Sequence, residues 1–369
     1  MKHKLIFGGI DTADYNVYIS GEGTFDSPER DVKRVAVPGR NGELIIDNGR
    51  WRNIELEYPA FTPEGFESSF PAFRSAICRK RGYQKLEDDY NPDEYRMAEF
   101  SEAIEPKPNA LNRSASYKLI FNCKPQRFLK SGDEPMQFLP AVVLGMTFST
   151  RLIPVGGDDV EFTVHCAEGE TLTVKVYTYD SSGTQLTVNT FSCADGDTQT
   201  QSFAASDKYF AVDVSGMDEI DDTWLNIKAD TVISGETIAL DATLARTARF
   251  TNPTGYAAKP LIEVYADSLP NMVISNYIGD ERYEFFDFRS TGTLSSHLFL
   301  DCEMQYLYDS AGNNQTSHLV LTDMHSDIGE GLVFPLLGTD VIELYMYYTT
   351  ATLSDGCGLV NIYPRWWKL

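Results

Sequence analysis

Val35-Ala36-Val37-Pro38-Gly39-Arg40-Asn41-Gly42-Glu43-Leu44-Ile45-Ile46 carries the pattern that decides the fold class. Two apolar runs flank a Pro/Gly/Asn cluster, and its Asn-Gly step offers the positive φ that a tight hairpin turn needs. The segment reads as a strand, a turn and a returning strand. Directly after it, Trp51-Arg52-Asn53-Ile54-Glu55-Leu56-Glu57-Tyr58 alternates apolar and polar residues, the period of a half-buried third strand.

Downstream, one helix interrupts the strands. Thr62 is placed to cap it, Pro63 suits the first helical position, and Glu64 complements the positive end of the dipole. Phe66, Phe70, Phe73 and Ile77 follow at helical spacing, with Pro71 as a source of kinking and Gly82 as the stop. Arg96 to Ile104 and Ser114 to Asn122 then form a second strand pair. The first domain, residues 1–132, is therefore expected to be a β-sandwich-like structure with one helix laid on it.

A polar stretch, Lys130-Ser131-Gly132-Asp133-Glu134-Pro135, marks the first boundary. Beyond it, strands are expected at Thr171 to Tyr179, Gln185 to Phe191, Tyr209 to Val214 and Trp224 to Lys228, with a turn at Asp180-Ser181-Ser182-Gly183. Short strands spaced by turns point to a β-sandwich over residues 133–248. A second boundary falls near Thr251-Asn252-Pro253-Thr254-Gly255. Strands at Pro260 to Tyr265, Leu298 to Asp301, Val341 to Tyr348 and Leu359 to Tyr363 then make residues 249–369 another sandwich or jelly roll. Asp309-Ser310-Ala311-Gly312 repeats the hairpin chemistry of the earlier Asp-Ser-Ser-Gly turn. The fold class is mainly β.

Charge is unevenly spread. The net charge is -23, yet residues 1–132 carry 20 basic and 20 acidic side chains. Residues 133–248 carry 5 against 19, and residues 249–369 carry 6 against 15. Acidic domains of that kind argue against a nucleic-acid phosphate groove. The neutral first third is where permanent protein contacts are expected. No apolar run approaches the ~20 residues that cross a bilayer, and the start lacks a secretory apolar stretch, so cytoplasmic folding and no membrane contact are expected. The six cysteines are scattered without a Cys-x-x-Cys pair, and reduced thiols are the expectation.

Candidate chemistry is thin. His318, Asp323, His325 and Asp327 form the one metal-like cluster, but their spacing fits a solvated polar loop better than a site. No carboxylate pair stands out for glycoside hydrolysis, Gly-x-Ser-x-Gly is absent, and the glycine pairs lack a P-loop lysine. No catalytic residue, metal or cofactor is expected. Tyr177, Tyr179 and Trp224 are candidates for a sugar-stacking surface, set against the plainer reading of good strand formers with one face in the core.

Several motifs in order resemble siphophage distal tail proteins. They include Ile10-Asp11-Thr12-Ala13-Asp14-Tyr15-Asn16-Val17, Arg34 to Gly42, Tyr58-Pro59-Ala60-Phe61, Arg81-Gly82-Tyr83-Gln84-Lys85-Leu86-Glu87-Asp88, and Cys123-Lys124-Pro125-Gln126-Arg127-Phe128. The resemblance resumes at Asn252-Pro253 and Ala258-Lys259-Pro260-Leu261-Ile262, and runs through Asp301-Cys302-Glu303 and Phe334-Pro335 to Ile362-Tyr363-Pro364-Arg365-Trp366-Trp367. It covers about two-thirds of the chain; residues 133–248 resemble an inserted, carbohydrate-binding-like module. The resemblance implies a tail-tip hub, assembled in the host cytoplasm. Its homo-hexameric ring of N-terminal domains would sit between the tail tube protein and the tail-associated protein, with a galectin-like C-terminal domain outside. A host-surface glycan is a further implied partner. In the ring domain, Arg40, Asn41, Gly42, Arg50, Trp51 and Arg52 are the expected subunit surface, against the plainer reading of a solvated hairpin. A glycan-binding adhesin, or a carbohydrate-active enzyme with accessory sandwiches, is the competing function.

Overall fold

The structure, a computed structural model, describes residues 2–20, 25–157, 159–233, 235–265, 271–278, 281–290, 297–322, 337–348 and 358–369. It is mainly β, with one α-helix among the described residues. The chain divides into two compact units, residues 1–132 with 367–369, and residues 133–366. No helix among the described residues is long and apolar enough to cross a membrane.

The first unit comprises β1 (Leu5–Phe7), β2 (Arg30–Ala36), β3 (Glu43–Trp51), β4 (Ile54–Thr62), α1 (Phe66–Cys78), β5 (Gln84–Asp88), β6 (Glu94–Glu99) and β7 (Ser114–Leu129). Its main antiparallel sheet runs in the order β1–β5–β6–β7–β4, with short strands at Ile10–Asp11 and Tyr18–Ile19 on its two edges. β7 organises it. Ala115, Tyr117, Leu119, Phe121 and Cys123 alternate into the core, and Leu119 and Phe121 lie opposite Tyr58 and Leu56 of β4. Phe121 packs its ring 5.1 Å from Phe7 and 5.2 Å from Phe100. Each such large side chain, fully buried, stabilises by about 1.5–3 kcal/mol.

α1 buries Phe70, Phe73 and Ile77, the expected stripe, but starts later than its capping signals predict. Thr62 closes β4 instead, its hydroxyl 3.0 Å from the buried Tyr117 Oη. Gly65, at φ +67°, becomes the N-cap, and Ser68 Oγ donates to its carbonyl at 2.8 Å. Tertiary hydrogen bonding took the residue that local propensity assigned to the helix.

The second unit contains β8 (Met136–Val143), β9 (Asp159–His165), β10 (Leu172–Tyr179), β11 (Gln185–Cys193), β12 (Thr198–Ser202), β13 (Tyr209–Ser215), β14 (Trp224–Ile233), β15 (Glu236–Ala245) and β16 (Thr247–Thr251). β17 (Leu261–Tyr265), β18 (Asn271–Ile278), β19 (Glu281–Ser290), β20 (His297–Asp301), β21 (Tyr306–Asp309), β22 (Leu319–Thr322), β23 (Val341–Tyr348) and β24 (Leu359–Tyr363) complete it. β8 joins two sheets. Its first half pairs with β15 and β24, whereas Ala141 to Val143 pair with β23 and the short strand Thr147–Ser149. Pro140, between the halves, suits such a switch because it has no N–H to give a ladder. One sheet therefore runs β12–β9–β14–β15–β8–β24–β17–β20–β21. The other contains β10, β11 and β13 at one end and β16, β18, β19, β22 and β23 at the other. Between the sheets, Phe148, Val160, Phe162, Val174, Phe210, Ile227 and Leu244 form a closed core. The two Asp-led turns do share their chemistry: Asp180 accepts from the amides of Ser182 and Thr184, and Asp309 from those of Ala311 and Asn313.

One buried charge secures the C-terminal half of this unit. Glu263 of β17 accepts from Tyr265 Oη and His297 Nε2 at 2.8 Å, and from Asn361 Nδ2 and Tyr363 Oη at 2.9 Å. Although burial pushes its carboxyl up, these donors outweigh that and hold its pKa below the usual carboxylate value. Replacing Glu263→Ala strands the four donors and is expected to cost about 3–5 kcal/mol in urea unfolding at pH 7. A loss under about 1 kcal/mol would show the network to be dispensable.

Candidate functional site

β2 and β3 belong to neither face of the main sheet. They form a two-stranded ribbon of their own, with Arg34 opposite Ile45 and Val35 opposite Leu44. Every residue from Glu43 to Arg50 is exposed, including Leu44, Ile45 at 62% and Ile46. Two-stranded hairpins are marginal in water without a third element to pack on. This one also shows apolar side chains on both of its faces, since Leu44, Ile45 and Ile46 are consecutive.

Charge holds the ribbon at its foot. Asp31, nearly buried on β2, accepts from Arg50 Nε at 2.7 Å and from Arg52 Nη2 at 3.0 Å. Beside it, Arg30 Nε donates to Asp47 at 2.6 Å, and the Arg30 guanidinium lies 5.2 Å from the Trp51 ring centre. Between Arg30 and Val32 the pairing register shifts, and Gly49 at φ +72° takes up the bend while its amide donates to Asp47. Such a bulge increases local twist.

The expected interface residues thus fall at opposite ends of one ribbon. Arg50, Trp51 and Arg52 gather at the foot, where their side chains serve the clamp. Arg40, Asn41 and Gly42 sit at the exposed tip. The tip is the turn expected between the two strands, and Gly42 of its Asn-Gly step takes the positive φ. In it Gly39 (φ +78°) joins Gly42 (φ +84°) in the left-handed conformation, and Arg40 N donates to Val37 O at 3.2 Å. Leu44, Ile45 and Ile46 were not singled out by sequence reasoning. Their signal was the missing alternation: an apolar run in a strand expects cover on both faces.

The candidate sugar-stacking residues do not share a surface. Tyr177 and Tyr179 lie on β10, on the outer side of one sheet, beside Asp213. Burial and then the charge of Asp213 push both phenols up. Trp224 lies on β14 in the other sheet, 40% exposed and stacked on His165 with ring centres 5.0 Å apart. Alternation along each strand puts their partners Val176 and Leu225 in the core. Of the metal-like cluster, Asp323, His325 and Asp327 lie outside the described residues.

No protein-family model matches the sequence, and no curated protein matches it. Among solved structures, the chain is similar to the SPP1 Dit protein, described as a paradigm of the hub adsorption apparatus in phages that infect Gram-positive hosts. The identity is 8% and the TM-score 0.47, over 98% of each chain. It is also similar to a chain of the phage p2 baseplate in its activated conformation with strontium, at 10% identity and a TM-score of 0.38, over 95% of this chain and 98% of that one.

Arg50 and Arg52 hold the Asp31 carboxyl below its ordinary range, so the clamp's contribution is present above the unfolded aspartate value of about 3.9 and fades as pH falls through the lowered folded value. Asp31→Asn is expected to reproduce that loosening at pH 7. Amide hydrogen exchange should accelerate from Lys33 to Ile46 and stay unchanged in β4 and β7. Equal ribbon rates in variant and wild type would remove the clamp from the account.

Proposed function

We propose that the chain is a structural, non-enzymatic component of a siphophage tail tip, a hub located in the virion tail. In this reading it closes into a homo-hexameric ring through residues 1–132 and sits between the tail tube protein and the tail-associated protein. It would be assembled in the host cytoplasm. The observation that carries the reading is the ribbon: a defined arm with apolar side chains on both faces that the described residues leave exposed. A neighbouring copy supplies that cover, either through a sheet edge or through an apolar surface. One heterologous contact of this kind, repeated until the rotation closes, gives a ring. Order among the sequence motifs points the same way, and so does the balanced charge of the first unit, which lets copies approach without repulsion.

The same reading treats residues 133–248 as an insertion between two standard domains and residues 249–369 as the galectin-like part. The two would be fused through β8 rather than strung as separate beads. Any host-surface glycan would have to be held either by Tyr177 and Tyr179 or by Trp224, because no single surface joins them.

Leu44→Asp, Ile45→Asp and Ile46→Asp together test the arm. Size-exclusion chromatography with light scattering should give an assembled mass near six times the 41.4 kDa protomer for the wild type, and the protomer for the triple variant. A hexamer that survives the triple substitution would reject the ribbon as the contact. A wild type that stays monomeric at every concentration, alone and mixed with tail tube protein, would reject the ring.

A further inference from the structure

A cleft of the second unit, about 520 Å³, opens on the outer side of the sheet that carries Trp224. Its lining comes from both halves of the unit. Gln137 and Phe138 are on β8, Asp221, Asp222 and Trp224 lead into and begin β14, Asp241 is on β15, and Arg249 and Phe250 are on β16. Volume alone admits several side chains of a ligand or an oligosaccharide. The polar groups narrow the choice.

Cations of the cleft are already engaged. Arg249 Nε donates to the buried Glu343 at 2.9 Å and its Nη1 to Asp222 at 3.1 Å. Asp221 is likewise engaged, accepting from Thr247 Oγ1 at 2.8 Å and Tyr345 Oη at 3.0 Å. Asp241, by contrast, is 63% exposed with Lys228 no closer than 3.8 Å, and Asp222 stays half-exposed beside its single arginine contact. The open face of the cleft therefore presents carboxylate oxygens and an indole ring. Two cations stand beside these groups, Arg249 with its guanidinium already on Glu343 and Asp222, and Lys228 3.8 Å from Asp241, but carboxylates prevail, in a unit whose sequence carries 34 acidic and 10 basic side chains. A guanidinium or ammonium group meets charge, acceptors and the negative face of the Trp224 ring together.

We propose that this cleft is a docking site for a basic segment of a partner protein, an extended peptide whose Arg or Lys side chain stacks on Trp224 and is held by Asp222 and Asp241. The inference does not need the ring, because every residue in it belongs to one unit of one chain. It also makes the site composite: residues 133–248 alone would lack Arg249 and Phe250. Long-range attraction brings the basic segment in, and the indole with its two carboxylates selects it.

The test uses the full-length protein with hexa-arginine as probe, in isothermal titration at 50 mM and 500 mM salt. Binding at one site per chain is expected, weakening at least tenfold at the higher salt. Trp224→Ala and Asp241→Asn should each weaken it about tenfold at low salt, whereas Asp159→Asn, an exposed carboxylate outside the cleft, should leave it unchanged. Melting curves of the variants confirm that the fold is intact. Equal binding by wild type and Trp224→Ala would reduce the effect to unspecific charge attraction and overturn the proposal. So would saturable binding of a neutral hexasaccharide that Trp224→Ala abolishes while hexa-arginine fails to compete, which would assign the cleft to sugars.

Discussion

Asp31, almost out of solvent at the foot of the β2–β3 ribbon, accepts from Arg50 and Arg52, and the arm's existence as a defined element rests on that contact. A hairpin of this length has no core to order it. Exposed ion pairs contribute little one at a time, but here two guanidiniums converge on one shielded carboxylate, and a neighbouring Arg30–Asp47 pair fixes the bulge beside them. The ribbon thus pairs charges at its foot and leaves Leu44, Ile45 and Ile46 exposed nearer its tip.

Much of this was legible in the sequence where periodicity was strict. Ser114 to Asn122 alternate and lie in one strand, and of Trp51 to Tyr58 the part from Ile54 on does, Trp51 closing the strand before and Arg52–Asn53 linking the two; Phe70, Phe73 and Ile77 recur at helical spacing, and all three are buried on α1. A misreading came where one residue had two possible partners. Thr62 is a good cap by local rules, yet its hydroxyl is hydrogen-bonded to that of Tyr117 across the sheet. That competition is not visible without the third dimension.

The sugar-stacking candidates illustrate a further limit. Alternation says that Tyr177, Tyr179 and Trp224 all point away from the core, and they do. It cannot say which of two sheets each strand joins. Only the pairing of β10 with β13 and of β14 with β9 separates them onto opposite sides. The same blindness hid the cleft beside Trp224, whose walls come from positions more than a hundred residues apart.

Pro140 explains why those distant positions meet. A strand that must serve two sheets needs a point at which its ladder can change partners, and a residue without an N–H marks that point without leaving a donor stranded. Before Pro140, β8 lies alongside β15 and β24; after it, alongside β23 and Thr147–Ser149. The N-terminal strand of the unit is thereby locked between β15 on one side and β23 and β24 near the unit's end, and Phe138 comes to face Phe250 with ring centres 6.4 Å apart. A segment inserted as a free module would keep its own termini paired with each other and its surface sites to itself. Here the seam is covalently early and structurally central, so a ligand held beside Trp224 touches both halves at once. Binding there would bear on the whole unit, because the strands that line the cleft are the ones that join its two sheets.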